Sequence, residues 1–126
     1  MKVYIVEDDE AIRIILKRLL KKNFKTISAI GESEYADKAL REVPSFAPDV
    51  LLVDISLPGI DGIELIKRLR PRCRDTGILV LTGHEIEQFK QAALNAGADG
   101  IVSKMDNDEL LRSIEKLLNP PAGMPE

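Results

Sequence analysis

Four apolar runs in this chain each end in a side chain that can do chemistry. The run at residues 3–6 leads into Glu7 and Asp8, the run at 50–53 into Asp54, the run at 78–81 into Thr82, and Ile101-Val102-Ser103 into Lys104. Together they supply three carboxylates, a hydroxyl and an ammonium. These ligands are hard oxygens with no soft donor among them, so the set suits Mg²⁺ better than zinc or copper. An aspartate carboxylate can attack phosphorus and form an aspartyl phosphate. A neighbouring ammonium and hydroxyl would hold the phosphoryl oxygens. The combination points to phosphoryl transfer onto Asp54.

That chemistry requires the four run ends to share one rim. The runs at 3–6, 50–53 and 78–81 are wholly apolar and rich in β-branched residues, as strands covered on both faces are. Residues 26–30 and 100–103 are less apolar and suit the edges of a sheet. Helical spacing falls between them: Ile12, Ile15, Leu16 and Leu19; Tyr35, Ala39 and Val43; Ile63, Ile66 and Leu69; Ile86, Phe89, Ala93 and Ala96; Leu110, Leu111, Ile114 and Leu118. Pro44 and Pro48 read as stops before the third strand, and Gly97 as the stop after the fourth helix. Asp9 and Glu10 favour a helix start. Strict strand–helix alternation predicts an α/β fold with a single doubly wound, five-stranded parallel sheet. The expected strand order is 2-1-3-4-5, a flavodoxin-like arrangement. Ligand sites in such sheets lie beyond the carboxyl ends of the strands, where these residues fall. Glu7, Asp8 and Asp54 would then crowd on strands ~4.8 Å apart. Two unit charges ~5 Å apart repel by roughly 3 kcal/mol at an effective dielectric of ~20, which a cation relieves.

Composition narrows the alternatives. The 126 residues are 44% hydrophobic and 31% charged, which predicts one soluble domain over residues 1–119 with a linker-like tail at 120–126. A net charge of -3 argues against a general nucleic-acid coat. One cysteine excludes an internal disulfide framework, and with a single histidine it leaves structural zinc poorly supported. No run is long enough for a membrane span, and the early acids spoil a signal peptide, so a cytoplasmic location is the expectation. The run Lys67, Arg68, Arg70, Arg72 and Arg74 reads as a solvated helix end and loop, since no aromatic is interleaved for base stacking. Cys73 reads as an incidental thiol. No phosphate-cradling glycine loop is present, which disfavours a nucleotide enzyme.

The chain resembles the receiver domain of two-component response regulators, the CheY-like family, over about residues 2–118. The resemblance rests on Ile5-Val6-Glu7-Asp8, on Pro48-Asp49-Val50 leading to Asp54, on Leu57-Pro58-Gly59-Ile60-Asp61-Gly62, on Leu81-Thr82-Gly83, and on Gly97-Ala98-Asp99-Gly100 followed by Lys104. It implies that Asp54 is the phosphoacceptor, loaded from the phosphohistidine of a sensor histidine kinase or phosphotransfer protein. It implies Asp8 as a direct Mg²⁺ ligand, with Glu7 assisting, Asp54 sharing the ion and Ser56 giving its backbone carbonyl. Thr82 becomes the switch hydroxyl and Lys104 the phosphate-pairing lysine. Output would pass through the fourth helix, fifth strand and fifth helix to a partner or effector domain, for instance a transcription factor's. A homodimer on activation is a further partner the resemblance allows; direct nucleic-acid binding by this domain is not expected. Two positions depart from the family. Met105 replaces the usual proline, so a cis bond there would cost about 2.5–4 kcal/mol and a trans peptide is expected. Ile101 replaces the usual aromatic, so output is coupled differently or weakly.

His84 reads as a loop histidine; a sharper reading has His84 and Ser56 flanking the phosphoryl group and tuning its hydrolysis. Three rivals share features of the pattern. One is a pseudo-receiver interaction module that never takes phosphate. Another is a flavin-binding module, which needs Ser, Thr or Gly where this chain has acids. The third is an aspartate-nucleophile phosphatase, whose second acid Asp54-Ile55-Ser56 lacks.

Overall fold

The three wholly apolar runs form the centre of a single parallel sheet. In the computed structural model, which describes residues 1–83 and 86–118, the order is β1 (Lys2–Val6), α1 (Glu10–Asn23), β2 (Ala29–Ser33), α2 (Ala36–Phe46), β3 (Val50–Asp54) and α3 (Gly62–Leu69). A 3-10 turn at Arg70–Arg72 follows, then β4 (Gly77–Thr82), α4 (Ile86–Ala96), β5 (Gly100–Ser103) and α5 (Asn107–Leu118). The strands lie in the order β2-β1-β3-β4-β5, all parallel, as the alternation predicts. Among the described residues no helix is long and apolar enough to cross a membrane.

Side chains alternate across the pleat and build two cores. Val3, Ile5, Val50, Leu52, Leu79 and Leu81 face α1 and α5, meeting Leu16, Leu20, Leu110 and Ile114. Tyr4, Val6, Leu51, Val53, Ile78 and Val80 face α2, α3 and α4, meeting Ala39, Val43, Leu65, Ile66 and Ala93. Both faces of the central strands are therefore dry, which explains their unbroken apolar sequence.

Three sequence expectations are corrected. β2 runs over Ala29–Ser33 rather than 26–30. Residues 25 and 26 form a turn, and the amides of Ile27 and Ser28, which follow it, donate to the Phe24 and Met1 carbonyls. Gly31 and Glu32 look unlike a strand, but the Tyr4 ring lies over Gly31, where a Cβ would come within 2.5 Å of it. Pro44 does not stop α2, which continues to Phe46 and ends at Ala47 in the left-handed region, φ 50°. The proline frees the Leu40 carbonyl of its helical donor. Arg72 approaches that oxygen instead, at 3.5 Å. The apolar stripes of α1 and α2 are also rotated: Arg13, Leu16 and Leu20 are buried on α1 while Ile15 is 56% exposed, and Ala36 is buried where Tyr35 was expected.

Candidate functional site

Strand register sets the site. Val6 pairs with Val53, so Glu7 and Asp54, the next residues on adjacent parallel strands, leave the sheet side by side. Asp54 pairs with Leu81 and Thr82 with Ser103, so Thr82 and Lys104 emerge on the neighbouring strands. The Lys104 amide donates to the Thr82 carbonyl at 2.8 Å, fastening the start of the last loop to the end of β4. All four run ends thus lie at the carboxyl edge.

Local chemistry fixes each loop. Asp9 caps α1 by accepting from the amides of Ala11 and Ile12, and Asp61 caps α3 through the amide of Glu64, as short polar side chains at helix starts do. Gly62 lies against the phosphoacceptor candidate: a Cβ there would be 2.4 Å from the Asp54 carbonyl oxygen. The β3–α3 turn can close only because that Cβ is missing.

Within the site Glu7 and Asp54 are buried and Asp8 is exposed. Carboxylate oxygens of the three lie within 4.8 Å of one another. Lys104 Nζ stands 2.7 Å from Glu7 Oε1 and 3.2 Å from Asp54 Oδ2. The first is an ion contact rather than an aligned hydrogen bond. The other Asp54 oxygen accepts from the Ser56 amide at 3.0 Å, and Glu7 Oε2 from the Asp9 amide at 3.1 Å. Burial pushes the Glu7 carboxyl up to about 7, against the pull of Lys104 and the Asp9 amide. Burial opposes the charge on Lys104 too, but the two carboxylates outweigh it and hold the ammonium above its usual range. Thr82 is fully buried, and its Oγ1 has no hydrogen-bond partner among the described residues. A buried hydroxyl left so costs about 1–3 kcal/mol. Three crowded carboxylates of hard oxygen character can hold a divalent cation.

The structure therefore gathers Glu7, Asp8, Asp54 and Lys104, and places Thr82 on the adjoining strand end. Ser56 enters through its backbone; its side chain is exposed. His84 lies outside the described residues, as do residues 119–126. The Lys104–Met105 peptide is trans, and Met105 is 80% exposed. Its amide donates to Ser103 Oγ at 3.1 Å, a bond a proline could not make. Ile101 is half-buried against the helix α3–α4 core.

Two arginines matter more than their sequence positions reveal. Arg13, 5% exposed, donates to the Glu7 carbonyl at 2.6 Å. The signal was available: a charged residue sits three before Leu16 and seven before Leu20, on the buried stripe. Arg70 is not a solvated residue of a basic run. It donates to the carbonyls of Gly97, Cys73, Arg74 and Thr76 and to Asp99 Oδ2.

The model of the response regulator receiver domain matches residues 3–115. A candidate transcriptional regulator of Pseudomonas aeruginosa is 41% identical over 118 residues, covering 93% of this chain and 56% of that protein. The response regulator MprA of Mycobacterium ulcerans is 34% identical over 119 residues, 94% of this chain and 50% of its own. This chain thus spans about half the length of these curated relatives. The crystal structure of a two-component response regulator of the LuxR family from Aurantimonas sp. SI85-9A1 superposes with a TM-score of 0.86 at 31% identity, covering 93% of this chain and 84% of that one. With its sheet order, its acidic pocket and these matches, the chain belongs to the receiver-domain family of two-component response regulators.

Proposed function

We propose that Asp54 accepts a phosphoryl group from the phosphohistidine of a sensor histidine kinase or phosphotransfer protein. An Asp54 carboxylate oxygen attacks phosphorus; the P–O bond forms as the P–N bond breaks, and the imidazole leaves. Asp8, Asp54 and Glu7, with the Ser56 backbone carbonyl, would hold Mg²⁺. When bound, the ion neutralises charge developing on the phosphoryl oxygens. Lys104 is already paired with Asp54 and passes to a phosphoryl oxygen of the product. Thr82 has a hydroxyl proton that no described residue claims, and donates it to another phosphoryl oxygen. These shifts of β4 and β5 bias the α4–β5–α5 face towards its target.

The observation that carries this reading is the Lys104 ammonium bridging two buried carboxylates at the carboxyl edge of the sheet. In this reading residues 1–119 are the receiver and 120–126 lead towards an output partner. Relatives named as regulators of transcription are about twice as long, so that partner is an effector domain binding DNA, in the cytoplasm. The receiver itself makes no nucleic-acid contact, and a homodimer forms on activation. Incubation with acetyl phosphate and Mg²⁺, followed by intact mass, tests the chemistry. One labile phosphate on the wild type and none on Asp54→Asn is expected. No phosphate on either would identify an interaction module that does not take phosphate.

A further inference from the structure

Glu7 and Asp8 hang from one short stretch of backbone between β1 and α1, and that stretch is held from both sides. The Glu7 amide donates to the Ser33 carbonyl at 3.1 Å. The Glu7 carbonyl accepts from Arg13 Nη1 at 2.6 Å. Arg13 is itself held: its Nε donates to Glu32 Oε1 at 3.1 Å, and its Nη2 lies 3.5 Å from Glu34 Oε1. Lys17, one turn along α1, pairs with the other oxygen of Glu32. A guanidinium so fully withdrawn from water carries a desolvation cost that an apolar residue on the same stripe would avoid. What it supplies is a rigid fork that spans from the Glu7 peptide to the end of β2, which a single ammonium point charge cannot reproduce.

We infer that Arg13 is a positioning residue for the cation site, setting through the Glu7 carbonyl the turn that presents Glu7 and Asp8. The inference rests on reading Glu7, Asp8 and Asp54 as cation ligands. It makes a prediction opposite in sign to simple electrostatics. Arg13 is positively charged, so its charge alone repels a divalent cation, and its removal would tighten binding. If its work is to hold the turn, removal loosens binding instead. Groups that orient metal ligands typically change affinity by about 10- to 100-fold when replaced.

The test is Mg²⁺ binding by titration calorimetry on wild type, Arg13→Met and Arg13→Lys, with amide hydrogen exchange of all three without metal. A Mg²⁺ dissociation constant raised about tenfold or more in Arg13→Met is expected. Arg13→Lys keeps the charge, loses the fork and is also weakened. In both variants the Asp8 and Asp9 amides exchange faster while the central strands keep their protection. A dissociation constant in Arg13→Met equal to or below the wild-type value overturns the inference, as does unchanged exchange in the turn or a uniform rise throughout the chain. Should Arg13→Met fail to fold, Arg13→Lys is judged by the same criteria. Wild type that binds no Mg²⁺ overturns the ligand assignment, and the inference with it; binding wild type beside an unaffected variant overturns the inference alone.

Discussion

Lys104 sits closer to Glu7 than to Asp54, at 2.7 Å against 3.2 Å, and Glu7 is the more deeply buried of the two acids. The ammonium therefore serves as counter-ion to the whole acidic pocket rather than to Asp54 alone. A cation bound among the same carboxylates would take over part of that duty and free the lysine for a new charge.

Replacing Lys104 by Met leaves two buried carboxylates without their counter-ion. At pH 8 without Mg²⁺, urea denaturation should show a loss of about 3 kcal/mol, typical of breaking a buried pair. Millimolar Mg²⁺ should restore more stability to this variant than it adds to wild type. Equal stabilities with no differential response to Mg²⁺ would remove the counter-ion argument.

Thr82→Val tests the buried hydroxyl. Valine has the same shape and suits a strand, and it removes a polar atom that lacks a partner. The unphosphorylated protein should gain about 1 kcal/mol. Phosphate should still load from acetyl phosphate, because Asp54, the proposed acceptor, is untouched, while partner binding should no longer increase on loading. A clear loss of stability would show that the hydroxyl is satisfied in solution.

Gly62→Ala places a methyl group 2.4 Å from the Asp54 carbonyl oxygen, and backbone must move to admit it. Overpacking of this kind costs about 1–3 kcal/mol. Because the displaced backbone is that of Asp54, acetyl phosphate should load the variant more slowly than wild type. Gly59→Ala is not the matching control, since Gly59 adopts φ 79°, a conformation alanine resists. Gly83→Ala, with open space around its Cβ and an ordinary φ, serves instead for stability.

Acid should weaken the strap between α1 and β2. Lys17 first, and then Arg13, hold the Glu32 carboxyl below its usual range despite partial burial. A group with a depressed folded pKa stabilises the fold above its unfolded pKa, about 4.3, and loses that contribution as pH falls through the folded value. The stability gap between wild type and Glu32→Gln should be full at pH 6–7 and close as pH drops below about 4. With the side chain one-third exposed, solvent screening keeps the Lys17 pair to no more than about 1 kcal/mol. A gap that widens on acidification would refute the assignment.

The sheet was legible because strands buried on both faces have little choice of residue, and because the residue after each such run falls at the ligand-binding edge. The juxtaposition of Glu7, Asp8, Asp54 and Lys104 followed from that alone. Edge strand β2 was misplaced because Gly31 and Glu32 owe their places to Tyr4 and to Arg13 and Lys17, partners distant in sequence. Pro44 misled because a freed carbonyl can find another donor, here Arg72. Arg13 is hidden from a periodicity of apolar residues, because the buried stripe of α1 includes a paired cation. Arg70 looked like one more member of a basic run. Its orientation depends on carbonyls from two loops that sequence spacing does not bring together.

Those Arg70 bonds have a mechanical consequence. They lash the segments entering β4 and β5 together at the pole of the sheet remote from the acidic pocket, with Asp99 also accepting the Ile78 amide. One end of each strand is moored, so compliance is left to the other end. Under the proposed phosphorylation, a pull on Thr82 or Lys104 would be a lever working against a fixed pivot, and its travel would be delivered to the flank of α4 and α5.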